Sequence, residues 1–244
     1  MIFLYNTIIY NPLLNALVFF YQTIAFHDLG VAIIILTICI RLLLFPLFQK
    51  STRYQIVMQA LQPKIKKIQE DFKHDKKKQS EAMMEAYKEY GMNPFSGFLF
   101  LLVQLPILIA LYHIFLNIFS PEVFQNVYSF IIPPATLNVT FLGLLNLKEQ
   151  SILVVVLAAA AQYWQTRMLF AAQRKDGHTL TQAERMTQRM AIIGPVITIV
   201  IFFGLPSAVG LYWLVSSLFS IIQQGIVNKQ LSHGTLGTIH KKNT

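Results

Sequence analysis

The sequence predicts an all-α polytopic membrane protein, on three observations. Of 244 residues, 55% are hydrophobic and 13% charged, and the charged share is about half that of an ordinary soluble domain. Mean hydropathy is +0.51. Five runs of transmembrane length contain no Asp or Glu, and about 20 such residues in a helix cross a hydrocarbon core roughly 30 Å thick. Twenty Lys and Arg against 11 Asp and Glu give a net charge of +9, and most of these cations lie between alternate runs. A soluble globular enzyme does not fit these features.

The elements follow in chain order. Residues 1–28 carry neither the basic start and small-residue cleavage site of a secretory signal nor an Arg-rich transit segment, so they read as part of the mature protein. Asn11 followed by Pro12 reads as a helix N-cap and first turn. Asn11, Asn15 and Gln22 fall on one side of that helix, which predicts an amphipathic helix in the outer interface. A sixth span over residues 7–26 is the alternative. It is opposed by a loop of only His27 and Asp28 and by the lack of an upstream basic residue.

Span one is residues 29–49, and residues 50–93 form a cytoplasmic hairpin. Its seam of Tyr54, Met58, Leu61, Ile65, Ile68 and Phe72 steps 4, 3, 4, 3, 4, a heptad pattern. Met83, Tyr87 and Tyr90 repeat it beyond a polar turn at 74–79, which predicts an antiparallel coiled coil with a basic surface. That surface is either a solvated face or a site for an anionic partner, lipid or RNA. Span two is 94–119, an outer loop is 120–150, and span three is 151–170. A cytoplasmic loop at 171–186, span four at 187–205, span five at 207–227 and a tail at 228–244 complete the chain. Pro206 sits in the tight turn between the last two spans.

Charge sets the orientation. Residues 50–92 hold ten Lys and Arg, residues 167–189 hold five and the tail holds three, whereas the alternate side holds only Lys148. Basic loops stay in the cytoplasm, so the amino terminus is expected outside and the carboxyl terminus inside. The single cysteine, Cys39, lies in an apolar run, excludes a disulfide framework and is expected to pack as a small hydrophobe.

The twentieth cation, Arg41, lies about twelve residues into span one, and no span offers it an acid. Burying that charge in lipid costs at least about 2.5 kcal/mol. It should therefore face a polar cavity and be available to an acidic ligand, the alternative being snorkelling toward the side of Lys50. Trp213, Ser216, Ser217, Ser220 and Gln224 lie on one face of span five. Gln162 and Gln165 share a face of span three, Gln104 precedes Pro106 in span two, and Thr37 is one turn before Arg41. Any one of these could simply tie helices together, but five on one face beside Arg41 favour a groove. His113, alone on span two, reads as a packing or interfacial residue. No phosphate loop, metal motif, intramembrane Asp pair or nucleophile with a base is recognisable, so no catalytic residue, metal or cofactor is expected.

These residues resemble the YidC/Oxa/Alb membrane protein insertases over residues 10–230. The resemblance rests on Thr37-Ile38-Cys39-Ile40-Arg41, Leu61-Gln62-Pro63-Lys64-Ile65, Ile68-Gln69-Glu70 and Tyr87-Lys88-Glu89-Tyr90-Gly91-Met92-Asn93-Pro94. It continues through Gln104-Leu105-Pro106-Ile107, Ala110-Leu111-Tyr112, the run from Pro206 to Trp213, and Ile221-Ile222-Gln223-Gln224. Together these pieces are very specific.

The resemblance implies a five-helix core around a hydrophilic groove, open to cytoplasm and lipid and closed outside, with Arg41 as its charge. It implies that the hydrophilic segment of a nascent membrane protein enters the groove and its hydrophobic segment leaves into lipid. Thr37, Tyr212 and Trp213 match groove positions, and Gln162 and Gln165 compete for the one in span three. Lys64, Lys66, Lys67, Lys76, Lys77 and Lys78 of the hairpin, with Arg174 and Lys175 of the second loop, match regions that capture substrate and meet the ribosome. Membrane lipids are implied partners, and the Sec translocon and the signal recognition particle receptor are candidate ones. Without a large outer domain, a lipobox cysteine or a long basic tail, the chain resembles a minimal bacterial form in the plasma (inner) membrane. From another class, a small-solute transporter or channel remains the alternative, although the internal repeats common in transporters are not visible. A passive scaffold that binds ribosomes or anionic lipid is a third.

Overall fold

The computed structural model describes residues 2–91, 96–171 and 182–234. A helical run opens the chain: α1 (Ile2–Tyr5), a π-helical turn (Asn6–Tyr10) and α2 (Asn11–Thr23). Then come α3 (Leu29–Leu43), α4 (Phe45–Asp71), α5 (Lys76–Glu89) and α6 (Ser96–Asn117). A 3-10 turn (Pro121–Asn126) leads to a small antiparallel hairpin of β1 (Thr140–Phe141) and β2 (Leu145–Asn146). Helices α7 (Ile152–Ala171), α8 (Gln182–Phe202) and α9 (Ser207–Gly234) follow.

The molecule is mostly helical, as the composition predicts. Two stretches are long and apolar enough to cross a membrane, Phe3–Thr23 and Ser207–Gln230. Leu29–Leu43 and Phe45–Met58 pass the same test only together, across a 71° bend, and Leu102–Asn117 and Ile192–Phe202 are shorter apolar helices.

Three expectations need correction. First, span one is not straight to residue 49: α3 ends at Leu43, and Pro46 sits in the first turn of α4. A proline there lacks only an N–H that a helix start leaves unpaired, so the apolar run continues in sequence while the axis turns. Second, Asn11 is not an N-cap, because the helix runs back to Ile2 without a side-chain cap at this point. Pro12 removes one ladder donor, and the π-helical turn lies just before it. Third, Asn15 is buried rather than turned to water. It accepts from Tyr128 N at 2.6 Å and donates to Asn126 O at 3.2 Å.

The segment after α6 forms a cap bonded to several helices. Tyr21 accepts from Asn138 N at 2.7 Å, and Gln22 donates to Ile132 O at 2.9 Å. Asp28 caps α3 by accepting from Val31 N at 2.9 Å, while its second oxygen accepts from Leu142 N at 2.6 Å. Gly30 lies under Phe141, whose ring would be 2.3 Å from any Cβ added there. At the start of α9, Ser207 N and Ala208 N donate to Glu149 O and Leu147 O at 2.8 and 3.1 Å. Beneath the cap lies the main core, built from Leu29, Ile33 and Leu36 of α3, Leu111, Ile114 and Phe115 of α6, Phe202 of α8 and Leu211 of α9.

Helices α4 and α5 lie side by side. Lys64 pairs with Glu89 and stacks over Tyr90, and Gln79 donates to Gln69 O at 3.0 Å, which sets an antiparallel register. Leu61 and Ala86 are buried, with the other seam residues half-buried.

Candidate functional site

Polar residues on the helices gather at the ends away from the cap. Along α3, the fully buried core positions stop at Leu36; Thr37 follows, and Arg41 comes after Ile40, which still packs against the core. Along α9, they stop at Tyr212, with Trp213 and Val215 packed against them, followed by Ser216, Ser217, Ser220, Gln223 and Gln224. Helix α6 runs the opposite way to α3 and α9, ending rather than starting at the cap, so its polar position, Gln104, precedes the core run at 111–118.

Two groups of hydrogen bonds tie α6, α7 and α8 to α9. Gln104 Nε2 donates to the Tyr212 hydroxyl at 3.3 Å. Beside it, Trp213 Nε1 donates to Gln162 Oε1 at 3.1 Å, and that oxygen also accepts from Thr198 Oγ1. Gly194 leaves room for the amide: a Cβ there would sit 3.1 Å from Gln162 Nε2. Gln162 is therefore the span-three glutamine tied to α8 and α9, whereas Gln165 is half-buried and outside this set. Thr198 was not foreseen, because a lone Thr in an apolar run carries no signal beyond helix packing.

Further from the cap, Ser216, Ser217 and Gln224 are buried and Ser220 half-buried. Ser220 donates to Ser216 O at 2.9 Å and Gln224 to Asn228 at 3.0 Å, while Ser216 Oγ is buried with no protein partner. Thr37 is buried and donates to its own helix at Ile33 O, 2.6 Å away.

Arg41 sits in the last turn of α3, next to the bend, rather than midway along a straight helix. Its guanidinium is 4.4 Å from the centroid of the Phe48 ring, across the bend, and it makes no ion pair among the described residues. The bend is held from α9: Gln223, buried, donates to Phe45 O at 3.1 Å, and the Phe45 and Phe219 rings meet edge to face. Sequence reasoning passed over Gln223, although it adjoins Gln224. Cys39 and His113 are both exposed, so Cys39 is not a packed small hydrophobe; its helix turns it away from the core.

The hairpin lysines divide. Lys64 is engaged with Glu89, Lys78 lies 3.5 Å from Asp75, and Lys76 donates to Gln79 at 3.3 Å. Lys66, Lys67 and Lys77 are exposed. Arg174 and Lys175 lie outside the described residues.

Comparison with known proteins places this arrangement. A family model described as the 60Kd inner membrane protein matches residues 19–234. A membrane protein insertase YidC of Geobacter metallireducens is 32% identical over 222 residues, 91% of this chain and 37% of that protein. Proteins of the same name from Lawsonia intracellularis and Francisella tularensis subsp. novicida are 34% and 35% identical, over 89% and 82% of this chain and 38% and 32% of theirs. The chain thus spans about a third of the length of these relatives.

Proposed function

Since the chain belongs to the 60Kd inner membrane protein family, the YidC/Oxa/Alb insertases, we propose that it is a membrane protein insertase and chaperone. It takes the hydrophilic segment of a nascent membrane protein into the polar half of its helix bundle and releases the hydrophobic segment sideways into lipid.

One observation carries this reading: polar side chains occupy the ends of the helices away from the cap, and an apolar core fills the capped ends. A polar segment in hydrocarbon loses several kcal/mol per unsatisfied backbone group. A wet half-channel shortens the distance over which that loss applies. Gln104, Gln162, Trp213 and Ser220, half-buried, line it, with Thr37, Tyr212, Ser216, Ser217 and Gln224 buried behind them, and Arg41 supplies attraction for carboxylates. An inside-negative potential drives each carboxylate outward by about 2.3 kcal/mol per 100 mV, so no nucleotide hydrolysis is needed.

Helices α3, α6, α7, α8 and α9 are the five spans, with the amino terminus outside. The α2 helix lies in the outer interface, since Asn15, Tyr21 and Gln22 all bond to the backbone of the segment at 126–138. Helices α4 and α5 form the cytoplasmic hairpin, whose exposed Lys66, Lys67 and Lys77 meet ribosome, lipid headgroups or nascent chain. The Sec translocon and the signal recognition particle receptor are further partners of the same membrane face.

The test is insertion of a substrate with an acidic translocated segment into liposomes holding the purified protein. Arg41→Ala is expected to lower insertion and Arg41→Lys to preserve most of it. Equal activity of the Ala variant would remove the charge from the mechanism. A photoreactive residue at 213 should crosslink a stalled nascent chain; adducts on the hairpin alone would move the path out of the bundle.

A further inference from the structure

We propose that the outer cap is itself a lipid-docking surface, with Phe26, Phe130, Ile132, Leu142 and Leu144 seated at the headgroup boundary of the outer leaflet. This rests on the membrane reading above and goes beyond it, because that reading places the cap over the apolar ends of the helices and gives it no contact with lipid.

The first observation is chemical. From Val123 to Leu147 there is no charged residue, although Glu122 and Lys148 flank the stretch. A water-facing segment of that length would carry about six. The second is exposure: Phe130, Ile132, Leu142 and Leu144 are 78%, 80%, 63% and 90% exposed, and Phe26, in the turn before α3, is 90% exposed. The third is rigidity. Asp28 fixes Leu142 and Gln22 fixes Ile132, so these tips surround the carboxyl end of α2 on a hydrogen-bonded frame. Phe26 and Leu142 both hold φ near +52°, a region bulky residues avoid. Such backbone persists where surrounding contacts enforce it and clusters at functional surfaces.

Lipid is the occupant because of where the cap sits. It is bonded to the first residues of α3 and α9, where both helices enter the bilayer on the proposed reading. Its tips also continue the exposed apolar surface of α2 at Phe19 and Ile24. Apolar and aromatic tips at that height bind by shallow burial.

The experiment uses the full chain with Cys39→Ser, reconstituted in liposomes of phosphatidylethanolamine and phosphatidylglycerol. Single cysteines replace Ile132, Leu144, Lys148 or Val200, all exposed positions, and carry a nitroxide. Collision with oxygen reports lipid and collision with a nickel chelate reports water. Labels at 132 and 144 are expected to share the oxygen preference of 200, with 148 favouring nickel. If 132 and 144 follow 148 while 200 favours oxygen, the proposal is overturned and the membrane reading stands. If 200 also favours nickel, both fall. Shielding of 132 and 144 from both reagents would mean that protein, a second copy or another chain, covers the cap, and would overturn it too.

Discussion

Replacing Gln162 with leucine removes the one oxygen that accepts from both Trp213 and Thr198. In water-excluded protein, a stranded donor costs about 1–3 kcal/mol. Three features lower that figure here. Trp213 is only half-buried, the Thr198 hydroxyl can turn to a carbonyl of its own helix, and bonds between membrane helices average about 0.6 kcal/mol. Two bonds on that scale predict a loss of about 1–2 kcal/mol for Gln162→Leu, and less than about 0.5 kcal/mol for Gln165→Leu, which breaks no described bond. The assay is reversible unfolding in mixed micelles, with a Gln162→Leu, Thr198→Val cycle to isolate the pair; its coupling should be at least about 0.5 kcal/mol. In a Trp164→Phe background, loss of the Nε1 partner should also change Trp213 emission. A larger loss at 165 than at 162, or no coupling in the cycle, would refute the placement of Gln162 at this junction.

Other expectations follow from equally specific contacts. Asp28→Ala should destabilise by about 2–4 kcal/mol, the sum of an N-cap and a bond to a charged acceptor. Asp28→Asn should fall between Ala and wild type, since its amide offers one acceptor where two are used; thermal unfolding in detergent decides. Phe48→Leu removes a stack worth about 0.5–2 kcal/mol and should speed phenylglyoxal modification of Arg41, read by peptide mass mapping, with Phe48→Tyr near wild type. Burial, and then Tyr87, hold the Tyr54 hydroxyl above its ordinary value, which is about 10. The folded state therefore favours the protonated phenol. The stability Tyr54 contributes is intact below about pH 10 and lost as pH rises through the folded value. A difference titration at 295 nm between wild type and Tyr54→Phe should show that late phenol.

Hydropathy made α6, α7, α8 and α9 legible because the apolar part of each, which in α8 begins after Glu184, is a run without acids, and the heptad seam made α4 and α5 legible for the same local reason. The bend at Leu44 was not, since Leu42, Leu43 and Leu44 continue the apolar run across it, and only packing against Phe219 and Gln223 distinguishes a turn from a straight span. Gln162 and Gln165 are three residues apart and occupy neighbouring positions on one face, so only the partners on α8 and α9 separate them. Asn15 read as water-facing because a buried Asn looks the same in sequence as an exposed one; its partners come from more than a hundred residues away. Strands of two residues carry too little pattern to predict, which hid the β1–β2 hairpin.

On the proposed reading, the length of the apolar half would set what the groove can do. From Leu29, the first residue of α3, to Thr37 is eight residues, and from Ser207 to Ser216 on α9 is nine. At 1.5 Å per residue these are about 12 and 14 Å, so the two helices agree on the thickness of the apolar seal. Against a hydrocarbon core of about 30 Å, a polar segment drawn to the level of Ser216 would have less than half the membrane still to cross. Arg41, in the last turn of α3, would on that reading lie on the wet side of the seal, where it would draw a carboxylate in without having to pull it through. The remaining step belongs to the membrane potential and to the hydrophobic segment that follows, whose transfer into lipid gains about 0.8 kcal/mol per buried methylene. An insertase on this plan would need only a half-depth polar site, a side open to lipid and a firm outer seal, and the bonds from Asp28, Tyr21 and Ser207 to the cap would hold that seal in place.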